Sequence, residues 1–539
     1  MSTARAALLL LALLILVHAP GLDNGFHYDD GHSILRNPHI RSLDNLPTFF
    51  TDPSKFSENP DFAMYRPLVL VAHALNYAWG AYTPWGYQLL NLAIHVLASL
   101  LVLALLCQFR LPPPAALLGA LLFGLHPAQT ETINYISSRS ESMAALFYLG
   151  AFYSHLRALA PSGALLRSWY GLSLLAFVLG LLCKAVVITL PLALLFFALL
   201  HQKRTRTGKL LLPYWILGGI YLLLYFALAG QGLTRSAQLR DLSTQLATQS
   251  KAFVHYLKLS FAPTTLNVQQ QFFTSSSFGE SAPLLALIAG TSFLSLLYLS
   301  RRRAPTLAFG LGWFLLILLP TLLVPLHILV NDHRIYLALF GPALILGQAG
   351  KDPKLRWMLY PVCLVFALLS FQRHAIWQDE LSLWGDAVKG APLMPEAHYN
   401  LGYAHHQAGA REEARQAYER AVALSPGYAR AQTNLGTIYR QEGRTEEAIQ
   451  AFQSALQAAP ETVEALNNLG LIFRSKKHFD EAIALFRRAL HLQPKGAEIW
   501  MNLGLTYRDQ GQRQQAVRAL QQAIQLKPAL KEQFPAGNR

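Results

Sequence analysis

NLGYAHHQAGAREEARQAYERAVALSP, residues 400–426, carries landmarks that return three more times at a spacing of 34. Asn-Leu-Gly stands at Asn400-Leu401-Gly402, Asn434-Leu435-Gly436, Asn468-Leu469-Gly470 and Asn502-Leu503-Gly504. Ala414, Ala448, Ala482 and Ala516 keep step with Tyr418, Phe452, Phe486 and Leu520, and proline recurs at 426, 460, 494 and 528. A small residue where two helices cross, a large apolar residue four positions later on the same face, and a proline that ends the second helix describe a helical hairpin. One hairpin cannot bury its apolar face alone, so four in phase over 395–530 predict a stacked α-solenoid with a concave groove.

This pattern is the tetratricopeptide signature. The groove is the expected binding surface, and Tyr399, Asn400, Asn434 and Asn468 are aromatic and amide positions that suit an extended peptide. A role as spacer or oligomerisation unit stays open at this point.

Before the repeats the composition changes. The 539 residues are 53% hydrophobic and 14% charged, with a net charge of +15 and a mean hydropathy of +0.27. Residues 1–394 hold 27 Lys+Arg and 16 Asp+Glu, about 11% charged; residues 395–530 hold 16 and 13, about 21%. An average soluble protein is about 25% charged, so a polytopic membrane helical bundle precedes the solenoid and the whole chain is all-α. Apolar runs of spanning length lie at 6–20, 86–107, 114–130, 141–158, 168–183, 185–201, 210–229, 281–300, 304–323, 335–350 and 355–372, eleven in all. The first lacks a clean small-x-small cleavage site and is expected to remain as a helix. The predicted organisation is a membrane domain over 1–375 with outside loops 21–85 and 230–280, a linker over 376–394, the repeats, and a tail over 531–539.

The basic residues fall in short clusters between the apolar runs, without the aromatic-interleaved stripe of a nucleic-acid surface. With the N-terminus inside, Arg110, Arg157 with Arg167, the cluster Lys203, Arg204, Arg206 and Lys209, Arg301–Arg303, and Lys351, Lys354 and Arg356 all fall on the cytoplasmic side. That satisfies the positive-inside rule and sends both long loops and the repeats to the opposite face. Cys107, Cys183 and Cys363 all border apolar runs and offer the loops no disulfide framework.

Chemistry-bearing residues gather at the outer ends of these runs. Asp29 and Asp30 are adjacent carboxylates just after the first run, in a loop with His27, Tyr28 and His32. Partial burial and mutual repulsion raise carboxylate pKa values toward working pH, so the pair is a candidate general base or metal-ligand site; a solvated turn is the plainer alternative. His126 and Glu131 are further proton-handling candidates, and Tyr65 with Arg66 precedes the second run. Arg66, Arg139, Lys184 and Arg334 could clamp a phosphate, since charges at the edge of hydrocarbon are costly unless paired or facing a wet cavity. A divalent ion is possible at the aspartates, although no full ligand set is visible. A proton-coupled transporter would concentrate ionisable groups in mid-span and show repeated halves, which this chain does not.

The Tyr28-Asp29-Asp30 segment, Tyr65-Arg66-Pro67-Leu68, the stretch 86–95, His126-Pro127 followed by Glu131 and Arg139, and the C-terminal repeats together resemble the transmembrane and tetratricopeptide repeat-containing O-mannosyltransferases and their bacterial relatives. The resemblance implies a C-type glycosyltransferase fold, a site on the non-cytoplasmic face, a polyprenyl-phosphate sugar donor, and catalysis by the acidic residues of the first outside loop. The family's Ser-Lys-Glu segment is Cys183-Lys184-Ala185 here, which keeps the lysine and lacks the carboxylate. Asn331-Asp332-His333-Arg334 is similar to a Glu-His-Arg motif with Asp for Glu, which implies donor-phosphate contacts at His333 and Arg334. The expectation is a glycosyltransferase of a bacterial inner membrane, or of the endoplasmic reticulum membrane in a eukaryote, that passes a sugar, mannose in the family, to protein hydroxyls. The alternative is a non-catalytic membrane scaffold that assembles envelope proteins on its repeats.

Overall fold

The computed structural model describes residues 1–59, 62–159, 166–201, 207–237 and 239–533, and at 207, 230–237 and 532–533 the backbone alone. Among the described residues there is no strand, and the chain divides into two compact units, Met1–Asp386 and Ala387–Arg539.

The first unit holds α1 (Thr3–His18), α2 (Leu46–Phe49), α3 (Pro67–Gly80), α4 (Pro84–Gln108), α5 (Pro113–Gly124), α6 (Gln129–Asn134), α7 (Arg139–Ala158) and α8 (Arg167–Leu181). It continues through α9 (Leu190–Leu200), α10 (Thr207–Ala237), α11 (Leu242–Phe261), α12 (Ser281–Arg303), α13 (Pro305–Leu323), α14 (Phe340–Ala349) and α15 (Pro353–Ile376) into α16 (Glu380–Gly390). Proline opens α3, α4, α5, α13 and α15, where its missing N–H costs nothing and its fixed φ suits the first turn. Each of the eleven apolar runs contains a helix, but eleven crossings do not follow. Among the described residues six helices are long and apolar enough to cross a membrane: Thr3–Asp23, Pro84–Gln108, Gly208–Ala229, Ser281–Arg303, Pro305–Leu323 and Pro353–Ile376. Pro113–Gly124, Arg167–Leu181, Ala185–Leu200 and Phe340–Ala349 are shorter, and α7 spends its buried face on polar residues such as Arg139, Glu141 and His155. α12 and α15 turn Leu284, Leu285, Trp357 and Met358 outward, a surface that only a bilayer solvates favourably. The unit is a multi-pass membrane protein.

The interior is closed by glycine. A Cβ on Gly119 of α5 would meet Ala343 O of α14 at 2.6 Å, and one on Gly310 of α13 would meet Gly341 O at 2.9 Å, so these backbones pack in direct contact. A buried imidazole chain fastens the first helix to the last span. His18 Nε2 and His95 Nε2 donate to Gly124 O at 3.0 and 2.9 Å, and His18 Nδ1 lies 3.0 Å from His374 Nε2. The carbonyl can only accept, which places both hydrogens on Nε2 and leaves His18 Nδ1 to accept from His374.

The stretches expected as loops and linker are themselves helical. α3 lies within 21–85, α11 within 230–280, and α16 occupies most of 376–394. Lys203, Arg204 and Arg206 of the basic cluster, and 534–539 of the tail, lie outside the described residues.

In the second unit the four hairpins are α17 (Pro395–Gln407) with α18 (Arg411–Leu424), α19 (Ala429–Gln441) with α20 (Thr445–Ala458), α21 (Val463–Ser475) with α22 (Phe479–Leu492), and α23 (Ala497–Asp509) with α24 (Arg513–Leu526). The repeated glycine sets the crossing. A Cβ on Gly402, Gly436, Gly470 or Gly504 would stand within 2.9 Å of Tyr418, Phe452, Phe486 or Leu520, respectively.

Candidate functional site

The carboxylate loop is bolted down before it turns. Asn24 Nδ2 donates to Asn134 Oδ1 at 2.7 Å and to His374 O at 3.0 Å, and Gln88 Nε2 donates to Asn134 O at 2.9 Å. Beyond this anchor the two neighbouring aspartates part company. Asp30 is fully buried: Oδ2 accepts from His27 N at 3.0 Å, and Oδ1 accepts from Ser137 N at 2.7 Å and Ser137 Oγ at 2.5 Å. Burial outweighs these donors and pushes its carboxyl up to about 6. Asp29 keeps 45% of its side chain exposed, accepts from Tyr135 Oη at 2.7 Å, and lies 3.3 Å from His32 Nε2. Burial holds the Tyr135 phenol far above its usual range, so it stays a hydrogen donor. His32 Nδ1 in turn pairs with Ser57 Oγ at 3.0 Å. Of the pair, Asp29 is oriented by the Tyr135 hydroxyl with the His32 ring beside it and keeps an exposed face, whereas Asp30 holds the loop.

Seven residues of one segment carry the arrangement from carboxylates to cations. Tyr135 binds Asp29, Ser137 binds Asp30, Ser140 Oγ accepts from Arg66 Nη1 at 3.1 Å, and Glu141 pairs with Lys184. His333 Nδ1 lies 2.6 Å from Glu131 Oε1, and its Nε2 lies 3.8 Å from Glu141 Oε1. Arg334 is aimed by the carbonyls of Leu329 and Ile328, at 2.9 and 2.8 Å. Lys184 and His333 therefore converge on Glu141, with His333 also on Glu131, Arg66 on the adjoining Ser140 and Arg334 next in the chain to His333, at the first turns of α6 and α7. In sequence Glu141 stands out only as the end of the polar segment Ser138-Arg139-Ser140-Glu141, with no role of its own; the structure makes it the carboxylate beside Lys184.

Three predicted site residues lie elsewhere. Arg139 is fully buried, with Nε on Asn91 Oδ1 at 2.6 Å, Nη1 on Asn76 Oδ1 at 2.7 Å and Nη2 on Tyr87 O at 2.9 Å, so its donors are spent on α3 and α4 and not on a phosphate. Tyr65 is buried and donates to Phe50 O at 3.2 Å. His126 is buried, accepts from Ala128 N at 3.2 Å and packs edge-on against Phe366. Among the described residues no three His, Cys, Asp or Glu side chains converge as a metal ion requires, and the aspartate oxygens already have protein donors.

In the second unit Tyr399 is buried between Tyr418 and Tyr428, with the Arg430 guanidinium 4.7 Å from its ring centre. Asn434 Nδ2 donates to Tyr418 Oη at 3.2 Å, and Asn400 and Asn468 are half-buried at the equivalent positions. The fourth member of the row, Asn502, donates to Asn467 Oδ1 at 2.9 Å.

Tetratricopeptide repeat family models match residues 393–461, 433–497 and 497–530. The chain is 30% identical over 168 residues to the protein O-mannosyl-transferase TMTC3 of Homo sapiens, covering 31% of this chain and 18% of that one. It is 23% identical over 448 residues to the protein O-mannosyl-transferase F38B6.6 of Caenorhabditis elegans, covering 79% of this chain and 63% of that one. It thus spans less than two thirds of either relative. Among solved structures, the crystal structure of MamA matches 28% of this chain and 89% of its own at 23% identity, with a TM-score of 0.26.

Proposed function

We propose, taking as premise that the chain is a relative of the transmembrane and tetratricopeptide repeat-containing protein O-mannosyltransferases, that it transfers a sugar from a polyprenyl-phosphate donor to a hydroxyl of a protein acceptor. With the N-terminus inside, the single span Thr3–Asp23 ahead of it puts the Asp29 loop on the non-cytoplasmic side, and the repeats recruit the acceptor. The observation that carries this reading is the segment Tyr135–Glu141, which touches the half-exposed Asp29 loop with one end and the Arg66, Lys184, His333 and Arg334 group with the other.

In the reaction the acceptor oxygen attacks the anomeric carbon while Asp29 takes its proton, held for that purpose by Tyr135 and His32. The bond from the anomeric carbon to the phosphate oxygen breaks, and the electron pair leaves on the polyprenyl phosphate. Arg66, Lys184 and Arg334 offset that charge, with the positive N-terminal end of α7 beside them. A single displacement inverts the anomeric configuration and needs no covalent intermediate. No step is routed through a metal.

The test uses the full chain in lipid nanodiscs with radiolabelled polyprenyl-phosphate mannose and a Ser/Thr-rich acceptor protein. Hexose should appear on acceptor hydroxyls, and Asp29→Asn should lower kcat by roughly 100-fold or more, the usual size of a lost general base. Undiminished transfer by Asp29→Asn would remove Asp29 from the mechanism.

A further inference from the structure

We infer that Glu380 is a positioning residue for this reaction, holding the turn at Tyr28 that presents Asp29; the inference rests on the proposed role of Asp29 as base. Glu380 opens α16, 353 positions along the chain from His27. Its Oε1 accepts from His27 Nδ1 at 3.1 Å and Tyr28 N at 3.2 Å, and its Oε2 accepts from Trp384 Nε1 at 2.6 Å. These contacts fall on the two residues that lead into Asp29.

Tyr28 needs such a hold. Its φ is +49°, in the left-handed region that an L side chain enters only when its surroundings impose it. The hydrogen bond from its N–H to Glu380 is one constraint. The Trp384 ring, edge-on at 5.5 Å, is another, and the Tyr135 ring at 6.2 Å is a third. Tyr135 also holds Asp29, and His27, whose ring is fixed by Glu380, uses its backbone N–H to hold Asp30. The Glu380 carboxylate can only accept, which places a ring hydrogen of His27 on Nδ1, toward it, while Nε2 is buried with no partner among the described residues. The contact is therefore a directed donor pair. Capping of α16 does not account for Glu380, because Asp379 supplies that cap by accepting from Ser382 N at 2.8 Å.

The variants are compared in full-length protein in nanodiscs with polyprenyl-phosphate mannose. Glu380→Ala should lower kcat at least tenfold while the donor KM stays within twofold, since the phosphate contacts lie on other elements. Glu380→Gln keeps one acceptor oxygen for His27 and Tyr28 and should fall between wild type and Ala. The decisive comparison is Tyr28→Gly placed on Glu380→Ala. Glycine enters positive φ freely, so the double variant should recover at least threefold over Glu380→Ala, whereas Tyr28→Gly alone should gain nothing. A residue that only stabilises the fold would not be rescued in this way. Wild-type turnover in Glu380→Ala, or losses that simply multiply in the double variant, would overturn the inference. If Glu380→Ala does not insert, Glu380→Gln is read instead: lowered kcat at unchanged KM supports the inference and unchanged kcat overturns it. Asp29→Asn runs alongside. Full activity there would sink the reading of the base itself, whereas an inactive Asp29→Asn beside a fully active Glu380→Ala would sink only the role of Glu380.

Discussion

At the scale of residues, two adjacent aspartates receive opposite environments because the loop turns between them. Burial favours the neutral form of Asp30 and outweighs the three donors that favour the ionised one, and this gives a pH dependence whose sign can be worked out. The folded carboxyl titrates near 6 against an unfolded value of 3.8, so the folded loop holds its proton more tightly. The resulting stabilisation is fully present below the unfolded value and is lost as pH rises through about 6; two units correspond to about 3 kcal/mol at most. Hydrogen exchange of the amides of residues 27–37, corrected for intrinsic rates, should show weaker protection at pH 7.5 than at pH 5. In Asp30→Asn that difference should vanish, and its persistence would move the titration to another group. The sequence made the Asp-Asp pair visible, but which member is open to a substrate depends on Ser137, 107 positions away. The same limit explains Arg139. Cations at the outer ends of spans look alike in sequence, and only packing shows that this one is saturated by Asn91, Asn76 and Tyr87.

At the scale of elements, the turn between the helices of each repeat tests how strictly the 34-residue period governs the backbone. The second residue of that turn has φ of +79°, +77° and +87° at Gly409, Gly443 and Gly511, and the third repeat puts Lys477 at +63° in the same place. The left-handed conformation costs an L residue about 1 kcal/mol relative to glycine. Lys477→Gly should therefore raise the melting temperature of the repeat unit, Ala387–Arg539, by about 2–4 °C, and Gly443→Ala should lower it by a similar amount. Equal melting temperatures for Lys477→Gly and wild type would mean that the lysine gains compensating contacts. The period itself was plain in the sequence because every repeat needs the same small residue at its crossing. The helices inside the supposed loops were not. α11 and α16 are amphipathic and moderately polar, and their apolar faces are too narrow to stand out beside the spans.

At the scale of the whole molecule, the boundary between units falls inside α16, so where the chain is cut should decide what survives. A protein ending at residue 394 keeps Trp377, Glu380 and Trp384, and with them the carboxylate loop. On the proposed division of labour, in which the repeats raise the local concentration of acceptor, it should bind polyprenyl-phosphate mannose with wild-type affinity while transfer to protein acceptors falls at least tenfold. A protein ending at residue 375 should lose transfer even to short acceptor peptides, because the buried Trp377 ring and the Glu380 hold are gone. Donor binding by nanodisc titration and peptide transfer, measured on both proteins, separate these outcomes. Equal peptide transfer by the two would show that α16 contributes nothing to the loop.

The sequence by itself determined the class of the molecule. Apolar runs of spanning length and a 34-residue period are local patterns, and each follows from what a bilayer or a neighbouring hairpin can cover. It also gathered the candidate site residues at the ends of the runs, through the cost of charge near hydrocarbon. Tertiary structure alone decided that Asp29 is open and Asp30 closed, that Glu141 supplies the carboxylate beside Lys184, and that Arg139 is a strut. Those roles depend on burial and on partners tens to hundreds of residues away, which no local pattern encodes.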